Sequence, residues 1–257
     1  MTIEEIIKRK EELIAIKKTA IKYSDKVNNF PLRIENDEAV KVSIQDLPTD
    51  EVTQKVIANT YYWLDSHGDV HVKGCFTKSI KDNNESKTPK IFHFDNHEHC
   101  FKAKVGNVKS VKEQYIKWKD LGIDRDGRTI ILVGETELIE DYNCQVYDAY
   151  KKGEIDQHSV GMRYIDIQLA INNPTETEAY KLWNEVYPLL GNPELADGNG
   201  YFWVVKQAEL KEYSCVLWQG SNSLTPAIKD IEPSKDDTQK PEPTNVTQNN
   251  LDIYLFN

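Results

Sequence analysis

The sequence is poor in cysteine and has no long apolar run. The four cysteines among its 257 residues are widely spaced and form no C-x-x-C pair (Cys75, Cys100, Cys144 and Cys215). This spacing favours reduced, packed thiols over a disulfide framework or a structural zinc site, and we expect no metal and no other cofactor. No apolar run approaches the ~18–20 residues of a membrane span, and the N-terminus lacks a signal-peptide pattern. We therefore expect a protein that has no membrane contact and stays where it is made.

Basic residues are also in the minority. Lys and Arg total 32 against 42 Asp and Glu, which gives a net charge of −10. Nucleic-acid-binding proteins usually carry the opposite excess, because they must neutralise phosphates. The charge balance therefore argues against a dedicated nucleic-acid surface.

Composition and periodicity divide the chain into three parts. Residues 1–50 begin with a predicted helix over 2–26, in which isoleucine and leucine recur at helical spacing. This helix either packs on the domain or on a copy of itself, or it tethers a partner. Residues 51–230 alternate strand and helix patterns. Residues 231–257 are rich in Pro, Asp, Lys, Thr and Asn, which predicts a disordered tail that ends in a short apolar docking segment.

The central part has the element pattern of an α+β domain. Residues 143–152 are predicted to form a helix that ends at Gly153, a residue suited to a helix C-cap. A second helix is predicted over 174–190, because its apolar residues follow helical spacing. Strands are predicted at 159–167, 201–205 and 209–218.

Two segments carry residues suited to catalysis. One runs from His93 to His99, and the other contains Ser159 and Gly161. A serine nucleophile needs a base within hydrogen-bond reach, and the base needs a group that orients it. A serine close to a glycine is a weak signal by itself, so the neighbouring motifs decide how these residues are interpreted.

Four short motifs surround these residues in a fixed order. They are a Gly-Asp turn followed by Gly74-Cys75-Phe76, then Asn96-His97-Glu98, then Ser159-Val160-Gly161, and finally Leu210-Lys211-Glu212-Tyr213-Ser214-Cys215-Val216. In this order they resemble the tailed-phage prohead (procapsid maturation) serine protease family, which is related in fold to the herpesvirus assemblins. The resemblance covers residues 56–222. It departs from the family in having Glu98 for Asp, Cys75 for Ala, and an extra insertion at 172–200.

The resemblance implies a prohead maturation serine endopeptidase with a mostly antiparallel, β-barrel-like core and surrounding helices. Ser159 would attack the scissile carbonyl, and His97 would accept its proton. The implied substrate is the scaffold protein or the scaffold domain of the major capsid protein, and also the chain itself, which carries candidate cleavage or scaffold-binding sites in its tails. The implied place of action is the assembling procapsid in the host cytoplasm, with self-association as a further expectation.

Strand parity selects a third member of the site. Leu210, Glu212, Ser214 and Val216 fall on one strand face, and the apolar pair marks that face as buried. A buried carboxylate needs a charged or hydrogen-bonding partner, and orienting a histidine is one such pairing. Glu212 is therefore the predicted triad carboxylate, with a structural ion pair as its alternative. Glu209, on the opposite face, is the second candidate.

Two residues are predicted to serve the oxyanion. Gly161 would let the backbone come close and would leave N–H groups available near Ser159. Arg163 follows two residues later, and strand alternation assigns it to the same face as Ser159 and Gly161. By resemblance to the assemblins, Arg163 would contact the oxyanion directly or through water.

Two other classes of function stay open. His93, Asp95, His97 and His99 alternate, and on a strand they would share one face as metal ligands do. This pattern favours a metal-dependent hydrolase or nuclease. The third class is a non-catalytic protein that binds capsid or scaffold through a degenerate protease fold, against which the intact Ser159 and His97 argue.

Overall fold

The computed structural model describes residues 3–22 and 52–228, and within these ranges the chain forms six α-helices and nine β-strands. The helices are α1 (Ile3–Lys8), α2 (Lys10–Thr19), α3 (Thr77–Asn84), α4 (Cys144–Lys152), α5 (Thr177–Val186) and α6 (Pro193–Asn199). The strands are β1 (Ile21–Lys22), β2 (Thr53–Thr60), β3 (Asp69–His71), β4 (Phe92–Asp95), β5 (Gly106–Lys117), β6 (Arg128–Leu138), β7 (His158–Ile171), β8 (Tyr201–Cys215) and β9 (Ala227–Ile228). None of the described helices is long and apolar enough to cross a membrane.

The strands form two sheets. The first has the order β1-β7-β8-β3, and β4 also pairs with β8 beyond the end of β3. Strands β7 and β8 are antiparallel, whereas β3 and β4 both run parallel to β8. The second sheet, β5-β6-β2-β9, is antiparallel throughout. The α+β class is therefore confirmed, and the described residues contain no closed barrel.

Strand β8 corrects one prediction. The sequence pattern suggested two strands, 201–205 and 209–218, whereas the structure has one continuous strand from Tyr201 to Cys215. The polar residues between the two apolar stretches stay in the sheet by pairing with β7, where the register shifts on either side of Asp166. An irregular register lets a long strand carry a polar stretch without ending.

The N-terminal segment is packed on the domain. The predicted helix over 2–26 is divided into α1 and α2 by a turn at Arg9, and it ends at Thr19. Ile6 is fully buried in the main apolar core, and β1 pairs with β7. The structure therefore shows this segment packed on the domain, which is one of the roles predicted for the helix. The remaining residues of this part, 23–51, and the predicted tail, 231–257, lie outside the described residues.

The two predicted internal helices are present with altered bounds. Helix α4 begins after Asn143, whose Oδ1 accepts a hydrogen bond from the Val146 N–H at 3.2 Å, and ends at Gly153 with φ of 71°. Helix α5 stops at Val186, and a 3₁₀ turn follows it. The apolar stripe of α5 packs on the first sheet, with Trp183 against Phe202. The insertion at 172–200 therefore extends the core.

A buried ionic cluster joins the N-terminal segment to the core. Lys22 contacts both Asp65 and Asp69, and its Nζ lies 3.0 Å from Asp69 Oδ2. Asp69 also contacts Lys17 and accepts a hydrogen bond from the Tyr164 hydroxyl. Burial disfavours the Lys22 ammonium, but the two carboxylates outweigh burial and raise its pKa above the ordinary value. The opposite charges of this cluster thus stabilise one another in their ionised forms.

Removing the central cation should destabilise the fold strongly. Lys22→Ala would leave two carboxylates buried without their shared partner, and breaking a buried pair in this way typically costs about 3–5 kcal/mol. Urea denaturation followed by circular dichroism measures the loss, with Lys18→Ala, at an exposed position of α2, as the control. A change within error of the Lys18→Ala value would contradict the assigned role.

Candidate active site

Strand β8 lies between the two segments that carry the predicted catalytic residues. Ser159 in β7 is directly opposite Ser214 in β8, and Gly161 is opposite Glu212. On the other side of β8, β4 runs parallel to it, with Asp95 beside Cys215. The chain that leaves β4 therefore reaches the end of β8 close to Ser159.

A left-handed turn directs His97 back over β8. Asn96 and His97 have φ of 47° and 57°, a region that asparagine and histidine enter more readily than most residues. The Asn96 N–H donates to the Cys215 carbonyl at 2.9 Å, which fixes the start of the turn on β8. This backbone conformation ends the strand alternation at Asp95.

The turn places the His97 ring on Glu212. His97 Nδ1 lies 2.6 Å from Glu212 Oε1, and both side chains are almost completely buried. Ser214 ties the pair together, because its hydroxyl donates to Glu212 Oε2 at 2.7 Å and accepts from the His97 N–H at 3.2 Å. The buried carboxylate thus has a partner on each oxygen, and His97 contacts it through Nδ1 rather than Nε2.

Gly161 has a steric role that the sequence did not reveal. A Cβ at this position would lie 1.9 Å from Glu212 Oε1. The glycine two residues after Ser159 therefore makes room for the carboxylate that holds His97. The predicted oxyanion role of Gly161 stays a prediction. The signal for the steric role lies in two equal spacings, Ser-x-Gly in β7 and Glu-x-Ser in β8, which place Gly161 opposite Glu212 when the two serines pair.

Ser159 is covered in this structure. Its Oγ is buried and has no hydrogen-bond partner among the described residues. Gly220 packs against it, since a Cβ on Gly220 would lie 3.3 Å from Ser159 Oγ and 3.0 Å from its Cβ. The hydrogen bond between Ser159 and His97 that a catalytic triad needs is not formed here. Catalytic hydrogen bonds are often long in a ligand-free protein and tighten when substrate binds.

Arg163 and Glu209 pair with each other. Arg163 donates to Glu209 Oε2 from both Nε and a terminal nitrogen, at 3.0 and 2.8 Å. Lys211, assisted by Arg163, holds the pKa of Glu209 below its ordinary value. The residue left unpaired at the register shift between Gly161 and Met162 is Lys211 of β8, so alternation along β7 continues from Ser159 to Arg163, whereas Glu209 lies on the same face as Glu212 and not on the opposite one. An oxyanion role for Arg163 would require it to leave this ion pair, and Glu209 makes no described contact with His97.

The predicted metal cluster is wrong. His93 lies on β4 inside the core, whereas His97 and His99 follow the left-handed turn, so the four residues do not share a strand face. Over residues 3–22 and 52–228, no group of three His, Cys, Asp or Glu side chains could hold a metal ion. The metal-dependent alternative therefore loses its sequence basis.

The sequence analysis missed a buried hydrogen-bond chain behind Ser159. It links the hydroxyl of Tyr213 to Thr136 (2.5 Å), Thr136 to His93 (3.0 Å), His93 to Tyr150 (3.1 Å), Tyr150 to His158 (2.8 Å), and His158 to the Thr225 carbonyl (2.9 Å).

The carbonyl at the end of this chain sets its direction. The Thr225 carbonyl can only accept, so His158 Nδ1 carries the proton and His158 Nε2 accepts from Tyr150. His93 then donates to Tyr150 through Nε2 and accepts from Thr136 through Nδ1. Burial lowers the pKa of His158 to about 4, and burial with the neighbouring His158 lowers the pKa of His93 well below its usual range. Both rings are therefore neutral at pH 7.

These neutral histidines should make the fold acid-sensitive. A histidine whose folded pKa is depressed gives full stability above its unfolded pKa, about 6.5, and loses that stability as the pH falls toward the folded pKa. For His158, with a folded pKa of about 4, the loss is roughly 3 kcal/mol. We expect the free energy of unfolding to fall between pH 6.5 and 4, and to fall less steeply in His158→Gln. Identical slopes in the two proteins would contradict this assignment.

Comparison with protein-family models, with curated proteins and with solved structures gives no match to this chain. The contacts among Glu212, His97 and Ser214, the position of Ser159 and the order of the four motifs are the observations from which a function can be proposed.

Proposed function

We propose that this chain is a serine endopeptidase in which Ser159 is the nucleophile, His97 the general base and Glu212 the orienting carboxylate. One observation carries the proposal. The Nδ1 atom of His97 lies 2.6 Å from a Glu212 oxygen, at a buried position of the strand that pairs with the strand of Ser159. A histidine held through Nδ1 by a buried carboxylate, next to a serine, is the arrangement that serine hydrolases use on several unrelated folds.

The roles follow from this arrangement. Ser159 Oγ forms a bond to the scissile carbonyl carbon as His97 Nε2 takes its proton, and Glu212 stabilises the imidazolium that results. The C–N bond then breaks, and the leaving amine receives the proton from His97. Water hydrolyses the acyl-enzyme by the same sequence, with His97 again as base. Backbone N–H groups near Ser159 and Gly161 are the proposed oxyanion donors, with Arg163 as an additional donor once it leaves Glu209.

The proposed substrate class comes from the motif resemblance. Prohead maturation proteases cleave scaffold protein or the scaffold domain of the major capsid protein, and cleave themselves, inside the assembling procapsid in the host cytoplasm. The four motifs of this chain occur in the order of that family. An assemblin-related fold, self-association and binding to scaffold and capsid protein belong to the same proposal. The net charge of −10 supports recruitment to the procapsid through protein contacts rather than through DNA.

A second candidate is a capsid- or scaffold-binding protein without catalytic activity. The specific observation in its favour is the burial of Ser159 Oγ beneath Gly220, which closes the nucleophile to substrate in this structure. The first experiment below separates the two candidates.

Cleavage of scaffold or capsid protein should depend on Ser159. Purified chain is incubated with the scaffold and the capsid protein of the same particle, and the products are identified by mass spectrometry. We expect defined cleavage by the wild-type chain and none by Ser159→Ala, because the nucleophile is gone. Cleavage that persists in Ser159→Ala would exclude the serine mechanism. Stable binding with no cleavage by the wild-type chain would favour the second candidate.

The two candidate carboxylates should behave differently. Glu212→Gln keeps the shape of the side chain but loses the charge that orients His97, and we expect kcat to fall by roughly 10⁴-fold. Glu209→Gln, the matched control, removes a carboxylate that pairs with Arg163 and Lys211 and should leave kcat within a few-fold of wild type. Steady-state kinetics on a cleaved peptide measures both, and the reverse ranking would transfer the role to Glu209.

A further inference from the structure

The segment that follows β8 passes directly over Ser159. We call residues 216–222 the cover loop. Its ends are fixed, because the Val216 N–H donates to Gln157 at 3.1 Å and the Ser221 carbonyl accepts from the Ser66 N–H at 3.0 Å. Asn222 adds a side-chain hydrogen bond to the Thr60 carbonyl at 2.7 Å. The cover loop is thus attached to β7 at one end and to β2 and the segment after it at the other.

The middle of the cover loop is held much less firmly than its ends. Residues 217–220 make no backbone–backbone hydrogen bond within the described chain. Leu217 is 92% exposed and Trp218 is 85% exposed, so neither side chain anchors the loop. The inward contact is made by Gly220, which packs against Ser159 and the His158 carbonyl. Segments with few buried contacts and few hydrogen bonds are the ones that open locally at low free-energy cost.

We propose that the cover loop is a substrate-opened closure of the active site, with Gly220 as the contact that blocks Ser159 and with Leu217 and Trp218 as the contact for substrate. This inference rests on the proposed function, since it assumes that Ser159 attacks a polypeptide. In the closed state Ser159 Oγ is buried and has no described hydrogen bond. Any peptide that reaches it must displace Gly220, and displacing Gly220 moves the two neighbouring apolar side chains.

The occupant that fits this surface is an extended polypeptide segment with apolar side chains. The third highly exposed apolar residue of the described chain, Phe101 at 95%, lies on the connection that leaves β4. Strands β4 and β8 are parallel and end side by side. Phe101 and Trp218 therefore lie on the two connections that leave this end of the sheet, where the proposed catalytic residues also lie. Large exposed apolar side chains beside a site are typical of binding surfaces, because covering them releases water. A polypeptide that binds these side chains more tightly in the open state than in the closed state shifts the loop toward the open state.

A small serine-directed reagent tests the closure without any substrate. The rate at which a fluorophosphonate labels Ser159 is measured in wild type, Gly220→Ala and Gly198→Ala. A Cβ on Gly220 would lie 2.8 Å from the His158 carbonyl oxygen, too close for β7 and the loop to keep their positions. The loop has fewer bonds than β7 and is the part that moves. Gly198 is the matched control, because a Cβ there meets nothing within 4 Å.

We expect Gly220→Ala to be labelled at least tenfold faster than wild type, and Gly198→Ala to be labelled at the wild-type rate. Equal labelling of all three proteins would overturn the closure while leaving Ser159-dependent cleavage, and hence the proposed function, intact. No labelling and no cleavage by any of them would overturn both. Melting temperatures of the three proteins show whether Gly220→Ala acts on the loop or on the fold as a whole, and a large loss of stability in that variant would count against the closure.

The substrate contact has a separate readout. Leu217→Ser/Trp218→Ser should leave fluorophosphonate labelling unchanged and raise KM for the scaffold protein by at least tenfold, because the small reagent does not use the apolar side chains. Ile16→Ser, an exposed apolar position on α2, is the control. An unchanged KM in the double variant would overturn the assigned contact.

Discussion

The antiparallel pairing of β7 with β8 is the constraint on which the candidate site depends. It sets Ser159 opposite Ser214 and Gly161 opposite Glu212, so Ser159 and the buried Glu212 carboxylate occupy successive positions on one face of the same strand pair. A carboxylate in such a position destabilises the fold unless both oxygens have partners. His97 and Ser214 supply those partners. The need to satisfy Glu212 therefore also holds His97 over β8, the strand that pairs with the strand of Ser159.

Buried polar groups in this fold fall into two kinds. The ionic cluster around Asp69 and the hydrogen-bond chain through His158 have partners throughout, and they fix the N-terminal segment and the back of β7. Ser159 is the contrast, since its buried hydroxyl has no described partner. Among the described residues, buried side-chain polar atoms of Asn59, His71 and Gln157 also have no hydrogen-bond partner, and each such atom costs about 1–3 kcal/mol. Lack of a partner alone therefore does not single out Ser159, whose place opposite Ser214 and next to the Gly161–Glu212 pair is what distinguishes it.

The sequence predicted the elements that local signals determine. Helix α4 was predicted because Asn143 and Gly153 mark its ends, and the burial of Glu212 was predicted from its apolar neighbours, although the extra residue Lys211 places Leu210 on the other face of β8. The failures have a different origin. The prediction of two strands in place of β8 failed because irregular pairing with β7 keeps the polar middle of β8 in the sheet, and the metal cluster was inferred by extending strand alternation through a turn with positive φ. Register shifts and turns of this kind are set by pairing with distant strands, which a single segment does not encode.

Two glycines near Ser159 along the chain or in contact with it differ in what they permit. Gly161 admits the Glu212 carboxylate, and its strand pairs with β8 over its whole length. Gly220 packs against Ser159 from residues 217–220, which make no backbone–backbone hydrogen bond within the described chain. In the proposed reaction a substrate carbonyl needs space at Ser159 Oγ, which β7 would provide only by breaking the pairing that sets Gly161 opposite Glu212. We therefore expect the space to come from the cover loop, because its middle residues make no backbone hydrogen bond within the described chain, whereas pairing with β8 holds β7 in place.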